Sequence, residues 1–348
     1  MTLILGIESS CDETAAALVS SDRHILGHSL AGQEAAHRPF GGVVPEIAAR
    51  AHVEVLPALI EQVLAEAGIT LEEVDAIAAT AGPGLIGGVM VGLVTAKGLA
   101  LATGKPLIAV NHLEAHAFSP MLSSPELDFP YLLLLASGGH CQLLRIDGVG
   151  AYRRQATTID DAAGEAFDKS AKLLGLAYPG GPAIEMLASE GDPRSVPLPR
   201  PLLGSGEPHF SFAGLKSAVA RAKQSDRYRD ADIAASFQQA VADCFVDRTA
   251  QALAAAGSGP GALSALVVAG GVAANQTIRA ELTRLAASHG LPFIAPPLWL
   301  CTDNAAMIAW AGALRFSLGL TDGLDAPARA RWPLDPAAEP ARGAGVKA

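Results

Sequence analysis

The chain has 348 residues, 50% of them hydrophobic and only 17% charged, which excludes an intrinsically disordered protein and predicts two domains or two fused halves. Its 36 glycines and 23 prolines follow no fixed period, which excludes a collagen-like repeat and predicts many tight turns. Acidic residues outnumber basic ones by 35 to 25, a net charge of −10, so a nucleic-acid partner has to be gripped through a local patch or a helper subunit.

Three short apolar runs open the chain, Leu3–Glu8, Ala15–Ser20 and Ile25–Leu30, separated by turn residues in the pattern of a three-strand meander. Asp12 and Glu13 follow the first run closely and no basic segment precedes it, so a signal peptide is not expected. Ile47, Ala51, Val55, Leu56, Leu59, Ile60 and Val63 mostly recur three or four apart and predict a helix. Thr70 and Glu73 then form a capping box.

The stretch Ile77 to Ala96 is uncharged and long enough to span a bilayer, and Gly88 and Gly92 make a G-x-x-x-G. Gly82-Pro83-Gly84 and Gly87-Gly88 break it near its start, however, and Lys97 follows at once. The expectation is a buried strand, a glycine turn and a buried helix ending at Gly104, with no membrane partner. A strand over Pro106–Val110 and a helix from Asn111 complete the first half.

The second half repeats the plan. Strands are expected at Tyr131–Ala136, Cys141–Ile146 and Tyr152–Thr158, then helices at Ala162–Leu174 and Ala183–Ser189. A loop from Gly191 to Pro208 leads into more helix through Ala255. The strand Ser264–Ala269, the turn Gly270-Gly271, the helix Asn275–Ser288, the strand Pro292–Ala295 and the helix Asn304–Leu318 follow.

Three strands, helix, strand, helix, occurring twice, predicts an α/β protein of two similar lobes, each an open sheet with helices on its faces, and a ligand cleft between them. Lobe I is expected over 1–111 and lobe II, with a helical insertion, over 112–319. The tail 320–348 is rich in Ala, Pro and Arg and is expected to pack back on lobe I or to lie loose. The arrangement resembles the actin, hexokinase and heat-shock-chaperone (ASKHA) superfamily, a nucleotide-binding architecture that hosts many functions.

His112-Leu-Glu114-Ala-His116 is the strongest local signal. Histidines at i and i+4 share one helix face, where both imidazoles reach one metal. Glu114 sits at i+2, about 200° around the helix from His112, so it faces away, and the H-E-x-x-H order of a zinc protease is absent. The plainer alternative is one capping and one packed histidine. Asp303, which opens the last predicted helix, is the leading third ligand, and an ordinary N-cap is its competing role. Asp12 and Glu13 form an acidic pair on the first turn, or simply a solvated turn.

Leu135, Ala136, Ser137, Gly138 and Gly139 form a strand end and a glycine turn whose amides can approach an anionic or carbonyl oxygen, unless it is a plain hairpin. Gly180-Gly181-Pro182 precedes a helix and offers amides at its positive end. Asp168 lies on a predicted helix, within reach of sugar hydroxyls or merely exposed. Asn275 follows Gly270-Gly271 and either reads an adenine edge or caps its helix. There is no P-loop and no G-x-S-x-G elbow. Cys11, Cys141, Cys244 and Cys301 are far apart with no C-x-x-C, the pattern of reduced thiols in a cytosolic protein.

Gly6–Thr14, Gly42–Glu46, Gly82–Leu85, the H-x-E-x-H run, Ser137–His140, Phe210–Lys216 and Gly270–Asn275 together resemble the tRNA adenosine threonylcarbamoyltransferase family of the bacterial TsaD type, from about residue 3 to Leu334. Departures are Cys141 in place of a usual Thr, and Ala213 and Ser217 in place of a Ser and a Thr; the stretch from Asp335 lies beyond the pattern.

The resemblance implies transfer of the threonylcarbamoyl group from L-threonylcarbamoyladenylate to N6 of the adenosine 3′ of the anticodon in tRNAs reading codons that begin with A, with release of AMP. It also implies that His112, His116 and Asp303 hold one divalent metal, iron with zinc as the alternative, and that Leu135–Gly139, Asp168, Gly181 and Asn275 bind the acyl-adenylate. No general base is named by it; Asp12 and Glu13 are the candidates. Implied partners are tRNA, a TsaB-like paralogue meeting the helices at 43–68, and a TsaE-like ATPase, all in the cytoplasm. Two competing classes remain: a kinase or ATPase with Asp12 as its carboxylate and no role for the histidines, and a non-catalytic paralogue in which the metal residues are dispensable.

Overall fold

The computed structural model describes residues 1–40, 42–257 and 261–341. They fall into two compact units, Met1–Glu126 with Thr302–Leu334, and Leu127–Cys301 with the segment from Asp335. Residues 342–348 of the predicted tail lie outside the described residues.

In unit 1, β1 (Leu3–Glu8), β2 (Glu13–Ser20) and β3 (Ile25–Gly32) form the antiparallel meander. After α1 (Glu34–His37) and α2 (Pro45–Ala67), β4 (Ala76–Gly82) pairs parallel to β1, and β5 (Leu107–Asn111) parallel to β4. The order is β3-β2-β1-β4-β5. Because β1 and β4 are buried along their whole length, their sequences run apolar without alternation. The charged Glu8 at the end of β1 is the exception, and it is fully buried.

Helix α3 (Ile86–Thr103) is the one helix among the described residues long and apolar enough to cross a membrane. Its glycines have another purpose. Gly84, Gly88 and Gly92 recur every fourth residue against the turn that follows β1. A Cβ on Gly84 would lie 2.6 Å from Ser10 O, and a Cβ on Gly88 or Gly92 would collide with Ser9. Ser9 Oγ donates to Gly88 O (2.9 Å) and accepts from Gly92 N (3.1 Å), bridging one helical turn with a side chain. The G-x-x-x-G run therefore seats a turn. Helices α4 (His112–Phe118) and α5 (Pro120–Ser123) follow β5.

Unit 2 has the same topology. It comprises β6 (Tyr131–Ala136), β7 (Cys141–Gly148), β8 (Ala151–Thr157), α6 (Ala163–Leu173), α7 (Gly180–Ala188), α8 (Ala213–Gln224), α9 (Asp230–Ala256), β9 (Leu266–Ala269), α10 (Gln276–Ser288), β10 (Phe293–Ile294) and α11 (Leu298–Cys301). Its strand order is β10-β9-β6-β7-β8. The inserted α8 and α9 close a core in which Phe210, Phe212 and Phe245 meet with Phe245 edge-on to both.

The boundaries differ from the expected 111/112 break. Unit 1 runs on to Glu126, and the last helix, α12 (Ala305–Ser317), belongs to it. A Cβ on Gly6 of β1 would lie 2.5 Å from Ala305 O, and one on Gly312 would lie 2.6 Å from Ala78 Cβ of β4. Small residues on both surfaces thus let α12 sit directly on β1 and β4. Chain order assigned that helix to the strands just before it, whereas the close fit is with β1 and β4 of the first half. Beyond α12, Leu320–Leu334 stays with unit 1: Asp322 N donates to Leu107 O and Arg329 N to Ala81 O, each at 2.8 Å.

Candidate active site

Asn111 ends β5 and caps α4, its Oδ1 accepting from Leu113 N at 2.9 Å. This sets the helix so that His112 and His116 share a face, with their Nε2 atoms 3.2 Å apart. Asp303 Oδ1 lies 3.0 Å from His116 Nε2 and 3.3 Å from His112 Nε2. Ligand atoms about 2.1 Å from one cation are separated by about 3.0 Å in an octahedral cis pair and about 3.4 Å in a tetrahedral one, so this triangle fits a single ion. The chemistry of the set, two neutral imidazoles and a carboxylate, suits a divalent transition metal. Both histidines are buried, while 23% of the Asp303 side chain remains exposed.

Asp303 does not cap α12. Asn304 does, its Oδ1 accepting from Met307 N at 2.9 Å, which leaves the Asp303 carboxylate for the histidines. All three residues belong to unit 1. Glu114 turns the other way, 3.4 Å from Arg315 Nη1.

Behind the triangle stands Glu8, which the motifs did not reveal. Its Oε2 lies 2.9 Å from His112 Nδ1 and accepts from Thr80 Oγ1 at 2.6 Å, and its Oε1 accepts from Ser10 N at 2.5 Å. The one available signal was a carboxylate ending an otherwise apolar central strand. Burial opposes the charge on Glu8 and on Asp303, but His112 outweighs it and holds both carboxyls below their ordinary range. Burial likewise opposes protonation of His112, yet Asp303 and Glu8 raise its imidazole well above the usual value. The cluster demands a positive charge, so a metal cation competes with a proton here.

Asp12 ends the turn from β1 to β2 and Glu13 opens β2, both half-buried. Burial, then repulsion from Asp303, Asp12 and Glu8, pushes the Glu13 carboxyl up to about 9. Burial, then Asp12, Asp303 and Glu13, raise the Cys11 thiol far above its ordinary range, which disfavours the thiolate a nucleophile needs.

In unit 2 the other predicted residues gather at the C-terminal ends of the parallel strands β6 and β9. Leu135 and Ala136 are buried in β6, and the Ser137–His140 turn is closed by Ser137 N donating to His140 O (2.8 Å) and His140 N to Ser137 Oγ (3.1 Å). Gly164, opening α6, and Gly270, after β9 with φ +90°, pack on this turn: a Cβ on Gly164 would lie 2.6 Å from Ser137 O, and one on Gly270 would collide with Ala136 O. Asp168 Oδ1 accepts from Gly180 N at 2.8 Å, and burial raises its carboxyl above the ordinary value despite that bond.

Gly138, Gly139, Gly181 and Gly271 behave differently. A Cβ on any of them would meet nothing within 4 Å, and none has a left-handed φ. Neither packing nor a left-handed backbone demands glycine there. Asn275 caps α10 through Oδ1, accepting from Ile278 N at 3.0 Å, while its Nδ2 donates to Gln238 Oε1 at 2.7 Å. Both ends of its amide are engaged. Beside it lies a cavity of about 300 Å³ lined by Glu185, Ala235, Gln238, Gln276 and Thr277. A second cavity of about 280 Å³, at Leu132, Arg145 and Arg153, shares none of these residues.

Relatives align with the whole length of the chain. A family model described as tRNA N6-adenosine threonylcarbamoyltransferase (TsaD) matches residues 24–310. A protein of Sphingopyxis alaskensis bearing that name is 74% identical over 348 residues, covering all of both chains. One of Novosphingobium aromaticivorans with the same name is 68% identical over 353 aligned positions, again covering all of both. Among solved structures, full-length HypF in a phosphate- and nucleotide-bound form is similar with a TM-score of 0.59 at 14% identity, covering 91% of this chain and 46% of that one. The (R)-2-hydroxyglutaryl-CoA dehydratase component A of Acidaminococcus fermentans gives 0.54 at 17% identity, covering 90% and 99%. These two likenesses show the fold alone. With a family model spanning most of its length and full-length relatives at such identity, the chain belongs to the tRNA N6-adenosine threonylcarbamoyltransferase family.

Proposed function

We propose that this protein transfers the threonylcarbamoyl group of L-threonylcarbamoyladenylate to N6 of the adenosine 3′ of the anticodon in tRNAs reading ANN codons. The observation that carries this reading is the triangle of His112, His116 and Asp303, with sides of 3.0 to 3.3 Å, in a chain of this family. In the reaction the N6 amine forms a C–N bond to the carbamoyl carbon, the C–O bond to the phosphate breaks, AMP leaves, and the amine gives up a proton. A divalent cation held by His112, His116 and Asp303, iron by preference and zinc as the alternative, would supply Lewis acidity toward the acyl carbonyl.

The chain's own residues do the rest. Glu8 fixes the His112 tautomer from behind. The backbone at Leu135–Gly139 and Gly181 offers amides to the adenylate, and Asp168 faces its sugar. Asn275, engaged as a cap, shapes the cavity at Gln238 and Gln276 that receives the nucleoside. Burial and the neighbouring acids raise the Glu13 carboxyl, which disfavours it as the base. Asp12, on the same turn, is the candidate to take the proton from the amine.

Unit 1 contains 17 acidic against 8 basic residues, so it holds nearly all of the net negative charge and repels phosphate. That supports tRNA handling with partner proteins, a TsaB-like paralogue and a TsaE-like ATPase, in the cytoplasm. Val53 of α2 and Ile86, Met90 and Val94 of α3 are about half-exposed, and they support docking of the paralogue on that face.

The test combines the protein with tRNA, threonylcarbamoyl-adenylate and these partners, followed by nucleoside analysis. Wild type forms the modified adenosine and AMP; His112→Ala and Asp303→Ala do not. Formation of ADP from ATP and a sugar, unaffected by the histidine variants, would establish the kinase instead.

A further inference from the structure

A buried polar chain outside the metal cluster ends on the turn that carries Asp12 and Glu13. Val44 N donates to His37 Nδ1 at 3.3 Å, and His37 Nε2 lies 3.1 Å from Gln33 Oε1. Gln33 Nε2 lies 3.3 Å from His52 Nδ1, which also meets Thr14 Oγ1 at 2.7 Å. His52 Nε2 then lies 3.2 Å from Cys11 O. Gln33, His37, His52 and Thr14 are all buried.

The chemistry of the two ends fixes every proton between them. A carbonyl only accepts, so His52 Nε2 carries hydrogen and donates to Cys11 O. Burial lowers the His52 imidazole and keeps it neutral, so its Nδ1 accepts, from the Thr14 hydroxyl and the Gln33 amide. Gln33 Oε1 then accepts from His37 Nε2–H, leaving His37 Nδ1 to accept from Val44 N. All donors point the same way, from the start of α2 to Cys11, and no group is left unsatisfied. Helix α3 leaves room for this contact: a Cβ on Gly88 would lie 3.0 Å from His52 Nε2.

We propose that His52 is a positioning residue for the transfer reaction, holding the Cys11 carbonyl, on the turn whose Ser10 Oγ lies 3.2 Å from His112 Nδ1, so that the following Asp12–Glu13 pair keeps its place. This rests on the transferase reading above. His52 touches no metal ligand, so it acts on the turn and not on the cation.

Two isosteric variants test it. The amide nitrogen of Gln reaches the place of imidazole Nε2, whereas Asn reaches only that of Nδ1. His52→Gln should therefore keep kcat close to wild type, while His52→Asn should lower it by roughly ten- to a hundredfold, the cost of displacing a reacting group by about 1 Å. KM for the adenylate and one metal per chain should be retained in both. Equal kcat for the two variants, or loss of metal from His52→Asn, would overturn the proposal. A wild-type protein that forms no modified adenosine would instead refute the transferase reading itself.

Discussion

His112 Nδ1 lies 2.9 Å from Glu8 Oε2, and that contact decides which imidazole nitrogen faces Asp303. A carboxylate can only accept, so Nδ1 carries a hydrogen, and Nε2 is the atom that would turn a lone pair to a cation shared with the other two ligands. Three elements cooperate in this: the end of β1 supplies the carboxylate, Thr80 of β4 orients it, and α4 supplies the ring.

Glu8→Gln keeps the shape but replaces the acceptor facing His112 with an amide that can turn either end toward it. Metal affinity should fall by about ten- to a hundredfold, the usual cost of losing such a supporting group. Competition with a chelator of known affinity measures this directly, and unchanged affinity would remove Glu8 from the account.

The glycines of α3 make a paired prediction. Gly92→Ala drives a methyl into Ser9 and should destabilise the fold by about 1–3 kcal/mol. Gly98 lies on the same helix with nothing within 4 Å, so Gly98→Ala should stabilise it by about 0.5–1 kcal/mol. Urea unfolding midpoints of the two variants should move in opposite directions.

Gly139→Ala adds a methyl where the protein offers no obstacle, so its melting temperature should match wild type. KM for the adenylate should nevertheless rise roughly tenfold, the cost of about 1.4 kcal/mol of lost backbone contact. An unchanged KM would place the adenylate elsewhere.

Asp161 supplies a pH dependence with a definite sign. Burial alone would raise its carboxyl, but hydrogen bonds from Lys216 (2.9 Å) and Lys169 (3.3 Å) outweigh it and hold the group below its ordinary 3.8. The unfolded chain therefore binds the proton first as pH falls. The stability from this group is fully present above the ordinary carboxylate range and is lost as pH drops through the lower, folded value. Asp161→Asn should lower the urea midpoint at pH 7 and flatten its decline below about pH 4. A variant that declines as steeply as wild type would contradict this.

Much of the fold was legible because local signals agreed with the tertiary structure. Tyr131–Ala136 was bounded correctly by its apolar run, and the Thr70–Glu73 capping box forms as read, with Thr70 N donating to Glu73 Oε2 at 2.8 Å. The histidine pair was legible because i and i+4 share a helix face in any context. What stayed hidden depends on contacts between distant segments. Glu8 and Thr80 are 72 residues apart and reveal their partnership only once β1 pairs with β4. Whether Asp303 or Asn304 caps α12 is a matter of one residue of phase, which spacing alone leaves open. The return of α12 to the first sheet follows from the glycines at 6 and 312, whose purpose appears only when the two surfaces meet.

The account stands on His112, His116 and Asp303 sharing one ion. Metal analysis of protein purified without air or chelators measures this most directly, on wild type and on Asp303→Ala side by side. Wild type should carry one divalent metal per chain and Asp303→Ala almost none, with both remaining folded. Full metal occupancy in Asp303→Ala, or none in active wild type, would contradict it.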